Sequence, residues 1–434
     1  MEINWLAIGI GNIILCVAIL LFTIFRFVKV KGFGGQAANG SSNEFDPQLR
    51  ETLMKSLTQA FVTFNVKAIS SITSEMLYYA TELTVNALKK VGVRKEIAIT
   101  PDPASKPISS NVMTEDGKNA LTTDIIYGSY EERYIDNATD KILYKRIWPK
   151  ASYVLNLTKS DLAQQQKEKF CINCGAPIEQ HGDFYDCPNC DSHYSAESYH
   201  WQIIKMYPQN MKNDSLVGKV ICFSLLAFFI ISLAAAVWPV LLPVVILANV
   251  LLLGSTVTYS VWASKKLAPW KVLTQTDPHF SRTDFEYRAV YLYKLYRHAC
   301  DFDLSKLRPF IRPEAFEKIK AHNNYDDDFY FLDLENPQTY IENPRVEDGK
   351  QIVDIHIKAM VLCRNEKKKL ICKKEKLSFS LYRNANTKTT VASGLETITC
   401  PQCGANINLS HDGKCAYCGA EYDLANYDWI LYDV

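Results

Sequence analysis

The sequence predicts an α+β chain in which one module, a helix followed by antiparallel strands, occurs twice. Each copy is followed by a small cysteine-held ribbon, and helical spans tie the chain to a membrane. Three observations lead there: four CxxC pairs in two sets, two long stretches without charge, and two segments whose landmarks align by spacing. At 434 residues there is room for two or three domains, each with its own core. A net charge of +1, with 22% charged residues, does not point to a polyanionic partner, so nucleic acid is not expected.

Residues 3–25 carry no charge, and a helix of that length spans roughly 30 Å, the thickness of a bilayer core. Residues 220–264 form a second uncharged stretch of 45 residues, interrupted by Trp238-Pro239 and Pro243. Proline breaks a helix and tryptophan favours the interface, so two spans are expected, at 219–238 and 242–263. A removable signal peptide would start with basic residues. Here Glu2 stands at the start, and Arg26, Lys29 and Lys31 follow the apolar run. Those cations, with Lys205, Lys212 and Lys219 and then Lys265, Lys266 and Lys271, fall on one side if the amino terminus is outside. The expectation is a multi-pass protein of the plasma (inner) membrane with its soluble parts cytoplasmic.

Of the 13 cysteines, eight fall in the CxxC pairs. Cys171 and Cys174 precede Cys187 and Cys190 with 12 residues between the pairs. Cys400 and Cys403 precede Cys415 and Cys418 with 11 between. Two knuckles joined by a short hairpin supply the four soft donors that zinc takes in a tetrahedron. Gly175, Gly404 and Gly419 follow the second cysteine of a pair, where glycine lets the backbone turn its N–H groups toward the thiolates; Asp191 takes that place in the remaining knuckle. Disulfides would need an oxidising compartment, which the orientation opposes. A thioredoxin-like motif would be a single CxxC opening a helix. A rubredoxin-type iron site shares the ligands, and spacing alone does not separate it from zinc. The expectation is one structural zinc in each set, two per chain, with no open coordination position for catalysis. His181, His193 and His411 read as loop residues, since four thiolates complete each site. The ribbon loops are not basic, which favours a structural clasp.

The two soluble segments run in parallel. The first opens on Asp46-Pro47, a cap and a first-turn proline, with Leu49, Leu53, Leu57, Ala60, Phe61 and Phe64 as an apolar stripe. The second opens on Ser281, with Asp284 three residues on as in a capping box and Phe280 and Phe285 as a staple. Its stripe continues through Ala289, Leu292 and Tyr296. A short second helix is expected at Ile72–Leu77 and again at Ile311–Phe316. Val353, Ile355, Ile357, Ala359 and Val361 alternate with Asp354, His356, Lys358 and Met360, the pattern of a sheet with one wet face. Leu377, Phe379 and Leu381 lie on the returning strand. In the first copy Tyr130–Asp136 turns at Asn137-Ala138-Thr139 and returns through Tyr153, Leu155 and Leu157. Ala138 to Cys171 is 33 residues and Glu366 to Cys400 is 34, which supports a duplication. Residues 32–44 read as a linker, 100–118 as an irregular loop, and Asp326-Asp327-Asp328 as a solvated acidic run.

Asp277-Pro-His-Phe-Ser281 and Leu304-Ser-Lys-Leu-Arg-Pro-Phe-Ile-Arg-Pro-Glu-Ala-Phe316, with the strands after them, resemble the Tim-forty-four-like domain family. So does the ending Tyr427-Asp428-Trp429-Ile430-Leu431. The family takes its name from the peripheral matrix subunit of the mitochondrial inner-membrane translocase and has many bacterial members. The resemblance covers 277–434, and 45–190 more weakly. It implies a cystatin-like, nuclear-transport-factor-like cone: a long helix on a curved sheet with an apolar pocket between them. It also implies contact with membrane lipid or a passing polypeptide, and no catalytic motif. The chain departs from the mitochondrial member in having its own spans and no arginine-rich transit segment, so a role in import is not inherited.

The expected order is a span at 3–25, a module at 45–170 and a ribbon at 171–200. A hairpin at 219–263, a module at 277–395 and a ribbon at 396–434 complete it. Function is expected to be that of a membrane-anchored binding or scaffold protein, with membrane lipid and protein partners or a second copy. Two other classes compete. A subunit of a transport or secretion complex would fit the spans, but no intramembrane charge marks a pathway, and Asn249 reads as a helix–helix contact. An enzyme would use a cone pocket, yet Asp354 and His356 fall on the wet face and no nucleophile motif, phosphate loop or acid pair is present.

Overall fold

The computed structural model describes residues 47–69, 73–105, 108–113, 119–160, 179–181, 184–188, 193–195, 202–210, 267–278, 280–321, 329–365, 369–389, 397–404, 406–408, 413–415 and 417–434, with 247, 254, 258 and 261 singly. The chain divides into two compact units, 1–39 with 210–268 and 40–209 with 269–434. The spans expected at 3–25, 219–238 and 242–263 lie outside the described residues apart from the single positions. Among the described residues no helix is long and apolar enough to cross a membrane.

Both modules belong to the second unit and have mixed α+β architecture with curled antiparallel sheets. The first contains helices α1 (Pro47–Thr63) and α2 (Glu75–Lys90), then strands β1 (Val93–Pro101), β2 (Ile108–Met113), β3 (Asn119–Asp136) and β4 (Ile142–Ser160). After the small strands β5 (Glu179–His181), β6 (Phe184–Asp186) and β7 (His193–Ser195), the chain returns as β8 (Gln202–Asn210). The order is β1-β3-β4-β8, with β2 beside the first half of β3. The second module contains α3 (Arg282–Phe302), a 3₁₀ turn (Leu304–Phe310), α4 (Pro313–Ala321), β9 (Phe329–Glu347), β10 (Lys350–Asn365) and β11 (Leu370–Asn384). The hairpin β12 (Thr397–Thr399) and β13 (Asn406–Asn408) follows, and β14 (Ile430–Asp433) returns beside β11 in the order β14-β11-β10-β9.

Apart from β2, which has no counterpart in the second sheet, the two strand orders correspond. Each ribbon is inserted between the last two strands of its sheet, and the final strand makes an isolated parallel bridge to the residue two positions ahead of the second helix. These bridges are Thr73 with Ile203 and Ile311 with Leu431. The ribbon stretch drawn at 396–434 therefore takes in a strand that belongs to the cone. Two other expectations change. The second helix of the first module runs 16 residues, capped by Ser74. The stretch read as an irregular loop at 100–118 contains β2, whose backbone groups are satisfied by β3. Gly128 on β3 allows the end of β1 to approach, since a Cβ there would run into the Thr100 carbonyl oxygen.

Local signals explain the rest. Ser281 Oγ accepts from the Asp284 N–H at 3.3 Å, and the Phe280 and Phe285 rings are 5.5 Å apart, as a capping box and staple require. The β3–β4 turn is an Asx turn in which Asp136 Oδ1 accepts from the N–H groups of Ala138 and Thr139. On β10 the residues Val353, Ile355, Ile357, Ala359 and Val361 are buried while Lys358 is exposed. Tyr293, not Tyr296, stacks on Phe379 of the sheet, with centroids 5.6 Å apart.

The cores of the two modules meet. Leu332 and Leu362 of the second module lie in the core built by α1, α2 and the first sheet. Charged side chains are buried at this junction. Lys95 Nζ lies 2.6 Å from Glu132 Oε1 and 3.5 Å from Asp333 Oδ2. Lys294 reaches the other Asp333 oxygen at 2.5 Å, Tyr134 OH donates to Glu132 at 2.8 Å, and Arg146 pairs with Glu335. Arg364 pairs with Asp136 at 3.1 Å and donates to the Val91 carbonyl. Burial pushes the Asp333 carboxyl up, but Lys294 and Lys95 outweigh it and bring its pKa down to about 2.

His298 on α3 lies at this junction, 3% exposed, with its ring 5.0 Å from Phe331 and neither nitrogen hydrogen-bonded among the described residues. Burial, aided by Lys294 and Arg297 and opposed by Asp333, lowers its pKa from 6.5 to about 3. Between those values the unfolded chain holds a proton that the folded chain does not. Stability therefore falls with falling pH there, by about 1.4 kcal/mol per unit for this group. His298→Phe is expected to flatten the dependence between pH 6 and 4. Denaturant titrations of both chains at those pH values check it, and equal slopes would refute it.

Candidate metal centre

The second ribbon brings all four of its predicted ligands together. Cys400 follows β12 and Cys403 leads toward β13, while Cys415 and Cys418 lie on a second turn. The knuckles are built alike: Gly404 and Gly419 take φ of +75° and +71°, and each donates its N–H at 2.9 Å to the carbonyl of the knuckle's first cysteine, Cys400 or Cys415. Glycine adopts that conformation without strain. The four sulfurs lie within 4.8 Å of one another, with Cys400 to Cys418 at 3.8 Å and Cys403 to Cys415 at 3.5 Å. A tetrahedron with metal–sulfur bonds of about 2.3 Å has sulfurs about 3.8 Å apart, so the set fits one metal ion.

Cys400 and Cys415 are buried and Cys403 and Cys418 exposed. Burial pushes the Cys415 thiol up, yet the backbone N–H groups of Cys418 and Tyr417 prevail and lower its pKa to about 7. Such donors favour the thiolate that a metal needs. The ribbon is seated on its module at Gly413, φ +64°, where a Cβ would stand 3.0 Å from Pro309. Four thiolates close the coordination sphere, so the chemistry available is structural.

Of the first set, Cys187 is described and buried at the end of β6, while Cys171, Cys174 and Cys190 lie outside the described residues. His181 and His193, read as loop residues, are in β5 and β7. Asp354 and His356 stand on the wet face as expected. Asp354 accepts from Ser380 at 2.8 Å and Arg345 at 2.9 Å, and His356 meets Ser378 at 2.8 Å. The concentration of ionisable side chains that composition did not reveal is the junction around Lys95, where opposite charges satisfy one another.

No family model matches this chain, and no curated protein matches it. A solved structure, the intermembrane space region of chloroplast protein ARC6, is similar to it at 9% identity. The match covers 38% of this chain and 98% of that one with a TM-score of 0.23, a likeness that carries no argument about fold or function.

Proposed function

We propose that the chain is a membrane-anchored binding or scaffold protein of Tim-forty-four-like type, with one structural zinc in each ribbon and its soluble unit at the cytoplasmic face. The observation that carries this is the repeated module: a complete four-thiolate cluster follows one copy, and the same spacing of cysteines follows the other. The uncharged stretches at 3–25 and 220–264 supply the anchor. Lipid or a polypeptide segment is the ligand, taken by the cones. Strand addition at the exposed part of β9 is disfavoured, because Pro337 and Pro344 lie on that strand and its pairing with β10 carries three irregularities.

Thiol labelling in intact cells tests the anchoring. Asn386→Cys, in an exposed turn of the second module, is expected to resist an impermeant reagent until lysis, whereas Ile3→Cys reacts at once. Peptide-resolved labelling of position 386 before lysis would overturn the orientation, and recovery of the chain in the soluble fraction would overturn the anchoring.

A further inference from the structure

We infer that the wet face of the β10–β11 hairpin is an electrostatic docking surface for anionic phospholipid headgroups, an inference that rests on the membrane anchoring proposed above. Between Lys358 and Lys376 there are eight Lys or Arg residues against two Glu, in a chain whose net charge is only +1. Of these, Arg364 is buried against Asp136 and Lys373 pairs with Glu375, while Lys358, Lys374 and Lys376 share the wet face. Pairing places Lys358 directly opposite Lys376, and Lys374 one step along the same face, opposite Met360. All three lysines are exposed, and none forms an ion pair among the described residues.

Like charges directly opposite on a sheet destabilise it, so the arrangement gives the fold nothing. The β9 residue facing Lys358 is Gln338, which is neutral. The nearest aromatic, Tyr340, is half-buried with its ring centroid 5.1 Å from Lys358 Nζ. A nucleic-acid strand would be met by exposed stacking rings or guanidinium planes, and around Lys358 this face offers lysines and one half-buried tyrosine ring. Hydrated point charges on an exposed sheet face suit a diffuse anionic surface, where each adds a salt-screened increment. A membrane tether supplies the high local concentration that makes weak contacts count.

The test uses the full chain in nanodiscs of phosphatidylcholine, alone or with 30% phosphatidylglycerol, and a water-soluble lysine-acylating reagent read by peptide mass. Labelling of Lys358, Lys374 and Lys376 is expected to slow about fivefold or more in the anionic discs, an effect removed by 0.5 M salt, while Lys388 is unchanged. Equal rates in the two discs would overturn the inference with the anchoring intact. If the chain does not enter discs at all, the anchoring fails; the same chain floated with anionic vesicles then decides the docking face, and no flotation overturns it. Protection by a short RNA as strong as that by the anionic discs would also overturn it, in favour of a nucleic-acid surface. Lys376→Glu guards against unfolding, because it places opposite charges across the strands. It is expected to raise Tm while reducing the protection of Lys358, and a Tm rise with protection unaltered contradicts the assignment.

Discussion

Cys415→Ser is expected to unfold the second ribbon and to weaken the module that carries it. In units this small, metal binding free energy is folding free energy, with apparent values of about 10–16 kcal/mol for structural zinc, so a three-thiolate remnant does not hold the hairpin. The damage reaches the cone through the chain that follows. The Trp429 ring stands edge-on to Phe285 at 5.0 Å, and its carbonyl accepts from Arg288 Nε at 3.1 Å. Beyond it, β14 pairs with β11 at only Ser380, Leu381 and Tyr382. Hydrogen exchange is expected to rise from 397 to 422 and, to a smaller degree, in β14. Cys372→Ser, outside the ribbon, should leave exchange there unaltered. A Cys415→Ser chain with native protection across 397–422 would show that the cluster needs no metal.

The second large effect is expected at the junction between the modules. Lys95→Met removes the cation shared by Glu132 and Asp333, both buried, and leaves each carboxylate short of a partner. Breaking a buried pair from one side costs about 3–5 kcal/mol, whereas replacing all partners by apolar groups of similar shape is often neutral. Lys95→Met alone should therefore lower the denaturation midpoint of the full chain steeply, and Lys95→Met with Glu132→Gln and Asp333→Asn should recover much of the loss. A single variant within about 1 kcal/mol of wild type would show that the junction is solvated. The shared core also means that neither module is expected to fold alone, since separation exposes Leu332 and Leu362 and parts Arg146 from Glu335 and Arg364 from Asp136.

How much of this was legible follows from where each signal lies. The alternation of Val353–Val361, the capping box at Ser281, the turn at Asp136–Thr139 and the ligand spacing of the second ribbon are local, set by residues within a few positions of one another, and the structure has them all. The hairpin between β9 and β10 was legible too, in Asp348-Gly349 with φ of +49° and +72°, a dipeptide suited to a tight hairpin turn. Reading it would have revealed β9. What was hidden depends on distant chain. Leu362 continues the wet-face parity of β10 yet is fully buried, because the first module covers that end of the sheet. Lys95, Asp333 and Glu335 look like solvent-facing strand residues, and only the partner module makes them interior. Periodicity reports which residues share a face, not what is packed against it. Likewise β14 lies 46 residues beyond the end of β11, from Asn384 to Ile430, with the ribbon between them. Nothing local ties those strands together.

Metal stoichiometry of the intact chain tests the central claim most directly, because the proposal of a zinc ribbon in each copy of the module requires two equal sites. A native mass spectrum of full-length protein released from detergent is expected to carry two zinc ions per chain, falling to one in Cys174→Ser, one in Cys415→Ser and none in the double variant. A wild-type chain carrying a single metal, or iron in place of zinc, would contradict it.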